Sequence, residues 1–244
     1  MGVLNISPES FYKGSVYNNP EKLKIAALKM IKNGGTMLDL GARSTAPWSE
    51  KITIEEEVSR MVPAMEILCK IIPDNILISI DTQYKVVAEK TYDIALKYNK
   101  KIIINDVSCL KTDKKLIDFI IEKELPVILM ASKKIPGDLL TIEDIIKEFR
   151  NTINILTTKG YDKNRIILDP GIGRWVEQKT PNYDLAIIAN LNKLRILKKP
   201  ILIALSRKSF IGAILNIADP EKRYNGTLSS TAIAVFNGAH LVRT

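Results

Sequence analysis

The sequence predicts an α/β protein of the TIM (β/α)8-barrel class, with the eighth helix absent from this chain. Short β-branched runs alternate with longer amphipathic segments, and eight such runs can be counted. The runs are almost continuously apolar, as in parallel strands buried on both faces. A chain of 244 residues that is 46% hydrophobic suits a single domain over residues 1–244. An open doubly wound sheet is the alternative.

The predicted strands and helices follow each other strictly along the chain. The strands are 3–6, 37–40, 76–80, 102–104, 127–130, 166–168, 200–205 and 241–243. The helices between them are 21–31, 55–72, 84–96, 115–123, 143–157, 183–194 and 227–237. Because the last strand ends beside Thr244, the sequence indicates a barrel that is trimmed or unusually short.

Composition limits the partners that this protein is expected to have. The net charge is +9, but the lysines are scattered without an arginine-aromatic stripe, so an anionic small molecule is favoured and nucleic acid is not expected. No apolar run approaches the roughly 20 residues of a membrane span, and no signal peptide is recognised. Cys69 and Cys109 lack metal-ligand spacing, which indicates reduced thiols and a cytoplasmic location.

Polar residues stand at or just after the ends of the predicted strands, where barrels of this class carry their active sites. They are Asn5, Asp39, Asp81, Asn105, Ser132, Asp169, Lys208 and Arg243. For Asp39 and Asp106, capping a helix or bracing a loop is the other interpretation. So many ionisable groups near a buried floor are costly unless they serve a ligand. The pattern therefore predicts a binding site.

The chemistry of these residues indicates a flat, polar ligand. Asp81, Asn105 and Asp169 offer acceptors, and a carboxylate can take two parallel hydrogen bonds from an amidine edge. Lys208 and Arg243 offer donors and positive charge. An aminopyrimidinone heterocycle fits this set. The loop residues suited to an anion or a second substrate are Ser7, Ser10, Gly41 and Thr45.

Histidine-dependent mechanisms are not expected. His240 is the single histidine and stands at the start of a predicted strand, which favours a structural role.

Several segments together resemble one known family. The chain opens with MGVLNISPESF, and segments 39–47, 80–82, 104–107, 169–173, 206–209 and 242–243 follow in the family's order. On these residues the chain resembles dihydropteroate synthase over essentially its whole length. The resemblance implies condensation of a 6-hydroxymethyl-dihydropterin diphosphate with p-aminobenzoate or a related arylamine, releasing pyrophosphate, in folate or methanopterin biosynthesis. It also implies a homodimer.

The same resemblance implies roles for individual residues. Asp81, Lys208 and Asn5 would be the catalytic residues. The pterin would be held by Asp81, Asn105, Met130, Asp169, Lys208 and Arg243. Asn5 would be a ligand of Mg²⁺ at the diphosphate. The arylamine would lie beside Thr45, Pro47 and Ser206.

The chain departs from the family pattern at four places. The second-loop arginine is replaced by Ala46, with Arg43 nearby, and the histidine after strand five is Ala131. Residues 174–176 replace a Phe-Gly-Lys run, and the terminal histidine is missing. The departures predict an archaeal-type variant that accepts a ribosylated aminobenzene.

Two other functions share part of this pattern. A methyltransferase that moves a methyl group from a pterin to a corrinoid protein would use Asp81, Asn105 and Asp169, but would not need Asn5 or a diphosphate site. A non-catalytic pterin-binding domain is the other alternative, motivated by Ala46.

Overall fold

A computed structural model describes residues 1–7, 17, 19–45 and 49–244 of the chain. Within these residues, eight strands alternate with helices. The strands are β1 (Gly2–Asn5), β2 (Met37–Gly41), β3 (Leu77–Asp81), β4 (Ile102–Asp106), β5 (Val127–Met130), β6 (Ile166–Asp169), β7 (Leu202–Ala204) and β8 (Leu241–Arg243). Each predicted strand is confirmed, with ends that differ by at most two residues.

The helices also follow the predicted order. They are α1 (Pro20–Lys32), α2 (Ile54–Ile71), α3 (Lys85–Lys97), α4 (Lys115–Glu122), α5 (Ile142–Thr158), α6 (Pro181–Ala189), α7 (Ser209–Leu215) and α8 (Tyr224–Phe236). One helix, α7, was not predicted. Both α7 and α8 lie between β7 and β8. The element order is that of the predicted barrel class.

Side-chain caps explain where several helices begin. Asn19 accepts a hydrogen bond from the backbone N–H of Glu21 at 2.8 Å at the start of α1. Thr53 does the same for Glu56 at 3.1 Å at the start of α2. Such caps satisfy backbone donors that the first helical turn leaves unpaired. No helix in the described part of the chain is long and apolar enough to cross a membrane.

The described chain forms two compact units, and the first comprises Met1–Asp106 and Thr112–Val127. Its strands lie side by side in the order β1-β2-β3-β4 and run parallel. Leu38, Ile78 and Ile80 are completely buried in these strands. Burial on both faces agrees with the continuous apolar runs seen in the sequence.

The second unit comprises Val107–Lys111 and Ile128–Thr244. In it, β5 neighbours β6, and β7 pairs in parallel with β8. A parallel bridge between Leu168 and Ile201 joins the end of β6 to the residue before β7. Phe149 of α5 is completely buried in this unit. The single domain over residues 1–244 stays a prediction.

Candidate active site

Four residues form a row across the ends of four parallel strands in the first unit. The strand register pairs Asn5 with Gly41, Gly41 with Asp81, and Asp81 with Asn105. Residues at equal register in parallel strands point to the same face. A Cβ atom at Gly41 would lie 3.2 Å from Cβ of Asp81, so the absence of a side chain at Gly41 leaves room for that carboxylate. The first unit therefore brings Asn5, Asp81 and Asn105 together, as predicted.

A buried carboxylate lies one layer below this row. Asp39 and Ser79 pair in register two residues before Gly41 and Asp81, and both are completely buried. The Ser79 hydroxyl donates to Asp39 Oδ1 at 2.5 Å. The Asn105 amide donates to Oδ1 and Oδ2 of Asp39 at 3.2 and 3.3 Å. Asp39 is therefore not a helix cap. It fixes the orientation of the Asn105 side chain.

The start of the first loop offers oxygen ligands. Ser7 is almost completely buried, and its hydroxyl has no hydrogen-bond partner among the described residues. Asn5 at the end of β1 supplies a carboxamide. Within the described residues, no cluster of three His, Cys, Asp or Glu side chains could hold a metal alone. This donor set fits Mg²⁺ that arrives with a phosphate-bearing substrate, because Mg²⁺ commonly takes few protein ligands and keeps waters and phosphate oxygens.

Arg43 is used to brace the loop after β2. Its Nε donates to Glu57 Oε2 at 2.5 Å, and its two Nη atoms donate to the carbonyls of Ile52 at 2.7 Å and Thr53 at 3.0 Å. The guanidinium lies 5.0 Å from the centre of the Tyr84 ring. Its hydrogen bonds go to the protein itself. Arg43 therefore does not stand in for the family arginine that is missing at position 46.

Glu57 is a site residue that the sequence did not reveal. It is completely buried on α2 and binds Arg43 with one oxygen. Its other oxygen accepts a hydrogen bond from Thr82 Oγ1 at 2.6 Å. Since Thr82 directly follows Asp81, Glu57 ties the second loop to the end of β3. Glu57 could not be recognised because it is one of three consecutive glutamates in the first turn of α2. Acidic residues commonly stabilise the N-terminal end of a helix.

In the second unit, Asp169 ends β6 in a buried position. Its Oδ1 accepts a hydrogen bond from the backbone N–H of Gly171 at 2.8 Å. Burial raises the pKa of this carboxyl, while Lys208, the Gly171 N–H, Arg243 and Lys179 act against the rise. Asp169, Lys208 and Arg243 are thus electrostatic neighbours, as the sequence predicted.

Lys208 reaches back to the loop after β6. Its ammonium donates to the carbonyl oxygen of Ile172 and lies 5.7 Å from the centre of the Trp175 ring. Burial lowers the pKa of Lys208 to about 8, while Asp169 and Asp184 oppose that fall. A lysine held in this way can change its charge near neutral pH.

A completely buried lysine, Lys179, was missed from the sequence. Its side chain is completely buried, and its ammonium donates to the Gly171 carbonyl at 2.6 Å. It lies 3.8 Å from Asp184, which accepts the backbone N–H of Gly173 at 2.9 Å. Burial lowers the pKa of Lys179 and raises that of Asp184. Together they fix the backbone that presents Asp169. Nothing in the local sequence pattern distinguishes them from surface charges.

A cavity of about 350 Å³ lies beside this pair in the second unit. The polar residues in its wall are Arg174, Glu177, Lys179, Thr180, Asp184 and Ser209. Arg174 is exposed at this cavity.

The other predicted site residues differ in how far they are buried. Met130 is buried at the end of β5, and its Cγ would lie 3.4 Å from a Cβ at Gly171. Thr45 and Arg243 are half-buried, and Ser206 is exposed. Pro47 and Ser10 lie outside the described residues.

The residues predicted to be structural have partners or positions that agree. The Nδ1 atom of His240 accepts the Ile201 N–H at 3.2 Å, a contact with the backbone of the protein itself. Cys69 and Cys109 are buried free thiols.

The whole chain matches one family model. Residues 1–244 match the family described as "Pterin binding enzyme". The dihydropteroate synthase of Bacillus subtilis (strain 168) is 34% identical over 243 residues, which cover 100% of this chain and 81% of that protein. The dihydropteroate synthase of Escherichia coli (strain K12) is 30% identical over 250 residues, covering 100% and 84%. These relatives do not bear out the archaeal-type interpretation.

Solved structures show the same fold over nearly the full chain. A Xanthomonas albilineans dihydropteroate synthase with 4-aminobenzoic acid superposes with a TM-score of 0.84 at 28% identity, covering 99% of this chain and 85% of that one. A Coxiella burnetii dihydropteroate synthase in complex with pteroic acid gives 0.86 at 29% identity, covering 100% and 86%. The TIM-barrel-like α/β class predicted from the sequence is therefore confirmed.

Proposed function

Because this chain belongs to the family of pterin-binding enzymes, we propose that it is a dihydropteroate synthase-like transferase of folate biosynthesis. It condenses a 6-hydroxymethyl-dihydropterin diphosphate with p-aminobenzoate and releases pyrophosphate. The in-register row of Asn5, Gly41, Asp81 and Asn105 is the observation that carries this proposal. It places acceptors for a heterocycle beside a carboxamide suited to the diphosphate.

We assign the pterin ring to the in-register row of the first unit. Asp81 accepts the amidine edge of the ring through paired hydrogen bonds, and Asn105, held by Asp39, contributes an amide. For Asp169 and Lys208 of the second unit, a role in pterin binding stays a prediction of the family resemblance. The same holds for Met130 and Arg243.

Loss of the diphosphate creates positive charge on the pterin methylene and negative charge on the leaving group. The Asp81 carboxylate stabilises the first charge through the conjugated ring. Asn5 and Ser7 take the second charge at the opposite end of the substrate. When bound, Mg²⁺ neutralises charge on the leaving diphosphate. The Asn5 carboxamide oxygen is its protein ligand in this proposal.

The arylamine needs positioning more than activation. An aniline nitrogen attacks as the neutral amine, so no strong protein base is required. The family resemblance assigns Thr45, Pro47 and Ser206 to the ring of the amine. Holding two reactants in place can supply much of the rate enhancement.

The reaction is tested directly with purified protein, the pterin diphosphate and Mg²⁺. We expect stoichiometric pyrophosphate release and a dihydropteroate product by mass spectrometry with p-aminobenzoate. Asn105→Leu should abolish turnover, while Asp93→Asn, at an exposed position of α3, should not change it.

Other results would identify the alternatives. Pterin binding without pyrophosphate release with any amine would indicate a non-catalytic domain. Methyl transfer from a methyl-pterin to a corrinoid protein would indicate the methyltransferase. Preference for a ribosylated aminobenzene over p-aminobenzoate would indicate a role in methanopterin biosynthesis.

A homodimer is the proposed assembly. On α8, Leu228 and Val235 lie two turns apart on one side and are 51% and 49% exposed, and Phe236 is 87% exposed. Apolar side chains grouped in this way favour a protein–protein contact. Light scattering should give twice the chain mass, and Phe236→Glu should give a monomer. A monomeric wild type would overturn this assembly. A cytoplasmic location stays a prediction.

A further inference from the structure

Trp175 is fixed firmly in the loop that follows β6. Its indole Nε1 donates to the Ile172 carbonyl at 3.3 Å, and its backbone N–H donates to the Gly173 carbonyl at 3.0 Å. The ring lies against the backbone of Gly137, where a Cβ would be only 2.2 Å from Cδ1 of the indole. A large aromatic ring at this point therefore has little freedom to move.

The side chain of Lys208 lies over the face of the Trp175 ring. The ammonium lies 5.7 Å from the ring centre, within the distance of an effective cation–π contact. The same Ile172 carbonyl that accepts the indole N–H also accepts the ammonium. A Cβ at Gly173 would lie 3.3 Å from Lys208 Nζ, so glycine leaves the space in which the ammonium sits.

Lys208 is surrounded by charged side chains of both signs, which define what the Trp175 ring adds. Four charged side chains act on the Lys208 ammonium, namely Asp169, Asp184, Arg243 and Lys179. The two carboxylates favour the charged amine and the two cations oppose it, while burial lowers the pKa to about 8. A ring face adds attraction for the cation without adding a charge.

We propose that Trp175 is a positioning residue for Lys208, holding the charged ammonium at the Ile172 carbonyl. The relevance of this contact to pterin binding rests on the proposed function. The contact itself does not.

The first test therefore uses no substrate. The rate at which an amine reagent modifies Lys208 is measured against pH by peptide mass spectrometry, which gives the apparent pKa of that lysine. Trp175→Leu should lower it by about 0.5 to 1 unit relative to the wild type. Trp175→Phe should retain most of the wild-type value. Tyr224→Leu, an exposed aromatic position in the same unit, is the matched control and should change nothing.

The second test measures dihydropterin affinity from pH 6 to pH 9. In Trp175→Leu the loss of affinity at high pH should begin at a lower pH than in the wild type, and Trp175→Phe should restore the profile. An unchanged apparent pKa of Lys208 in a folded Trp175→Leu variant overturns the proposal. If the pKa of Lys208 moves as expected but neither the wild type nor the variants bind dihydropterin, the positioning role stands and the proposed function fails.

Discussion

The carboxylate of Asp39 accepts the side-chain amide of Asn105 through both of its oxygens, at 3.2 and 3.3 Å. It also accepts the Ser79 hydroxyl, so three donor contacts converge on one buried group. An asparagine in its place would have one acceptor oxygen and would present an N–H group to these donors.

We therefore expect Asp39→Asn to weaken dihydropterin binding by roughly tenfold, or about 1.4 kcal/mol, because Asn105 loses its fixed orientation. Isothermal calorimetry measures the change, with Asp93→Asn as the control. Undiminished affinity in the folded variant would show that Asn105 does not depend on this contact.

Gly41 offers a test of Asp81 that leaves the carboxylate in the chain. A methyl group at position 41 would lie 3.2 Å from Asp81 Cβ and 3.4 Å from its Oδ2, so the side chain of Asp81 has to shift. Gly41→Ala should lower pterin affinity about tenfold. The melting temperature should stay within a few degrees because alanine reduces the entropy of the unfolded chain. Asp81→Ala gives the pterin affinity without the carboxylate in the same assay. Wild-type affinity in Gly41→Ala would contradict the expected displacement of the Asp81 side chain.

Arg43 should be sensitive even to a conservative replacement. Its forked guanidinium reaches Glu57 and two backbone carbonyls, and a lysine cannot reproduce that geometry. We expect Arg43→Lys to lower the free energy of unfolding by about 1–2 kcal/mol. The KM for the arylamine should rise while the pterin affinity is kept. Urea denaturation and steady-state kinetics measure both effects. Arg150→Lys, at an exposed position on α5, should behave as wild type.

The buried pair Lys179 and Asp184 should show strong coupling. Removing the cation in Lys179→Met leaves a carboxylate buried without its partner, which costs about 3–5 kcal/mol of unfolding free energy. Adding Asp184→Asn removes that charge and keeps an acceptor for the Gly173 N–H, so the double variant should regain part of the loss. Equal stability of the single and double variants in urea would argue against an ionic interaction.

Lys208 should give a measurable dependence of stability on pH. Its folded pKa, about 8, is below the value of about 10.4 for an unfolded chain. Between these values the unfolded chain binds more protons, so the contribution of Lys208 to stability rises with pH. The stability advantage of Lys208→Met over the wild type should therefore shrink from pH 7 to pH 10. A constant difference in urea unfolding would mean that this pKa is not lowered.

The parts of the fold that depend on local periodicity could be predicted well. The strand 127–130 and the helix 115–123 agree with β5 and α4 almost residue for residue. The seven-residue α7 was missed because it is apolar, short and interrupted by Gly212. Its C-terminal end at Asn216, with φ of 55°, carries no glycine to signal it.

The candidate site also contains residues that could be predicted from the sequence and residues that could not. Strand-end residues such as Asp81 and Asn105 could be predicted because neighbouring parallel strands end at one edge. The supporting residues Ser79, Glu57 and Trp175 could not, because their roles depend on contacts across strands or between a loop and a helix. No spacing along the chain records such contacts.

The in-register row at the ends of β1 to β4 also sets which changes of chain length the first unit can accept. One residue inserted within Leu77–Asp81 would reverse the faces of the following side chains, because successive residues of a strand alternate. Asp81 would then point away from Gly41 and Asn105. Residues added after the strand leave the row untouched. Engineered insertions should therefore be tolerated in the loops that follow these strands and be fatal to binding within the strands themselves.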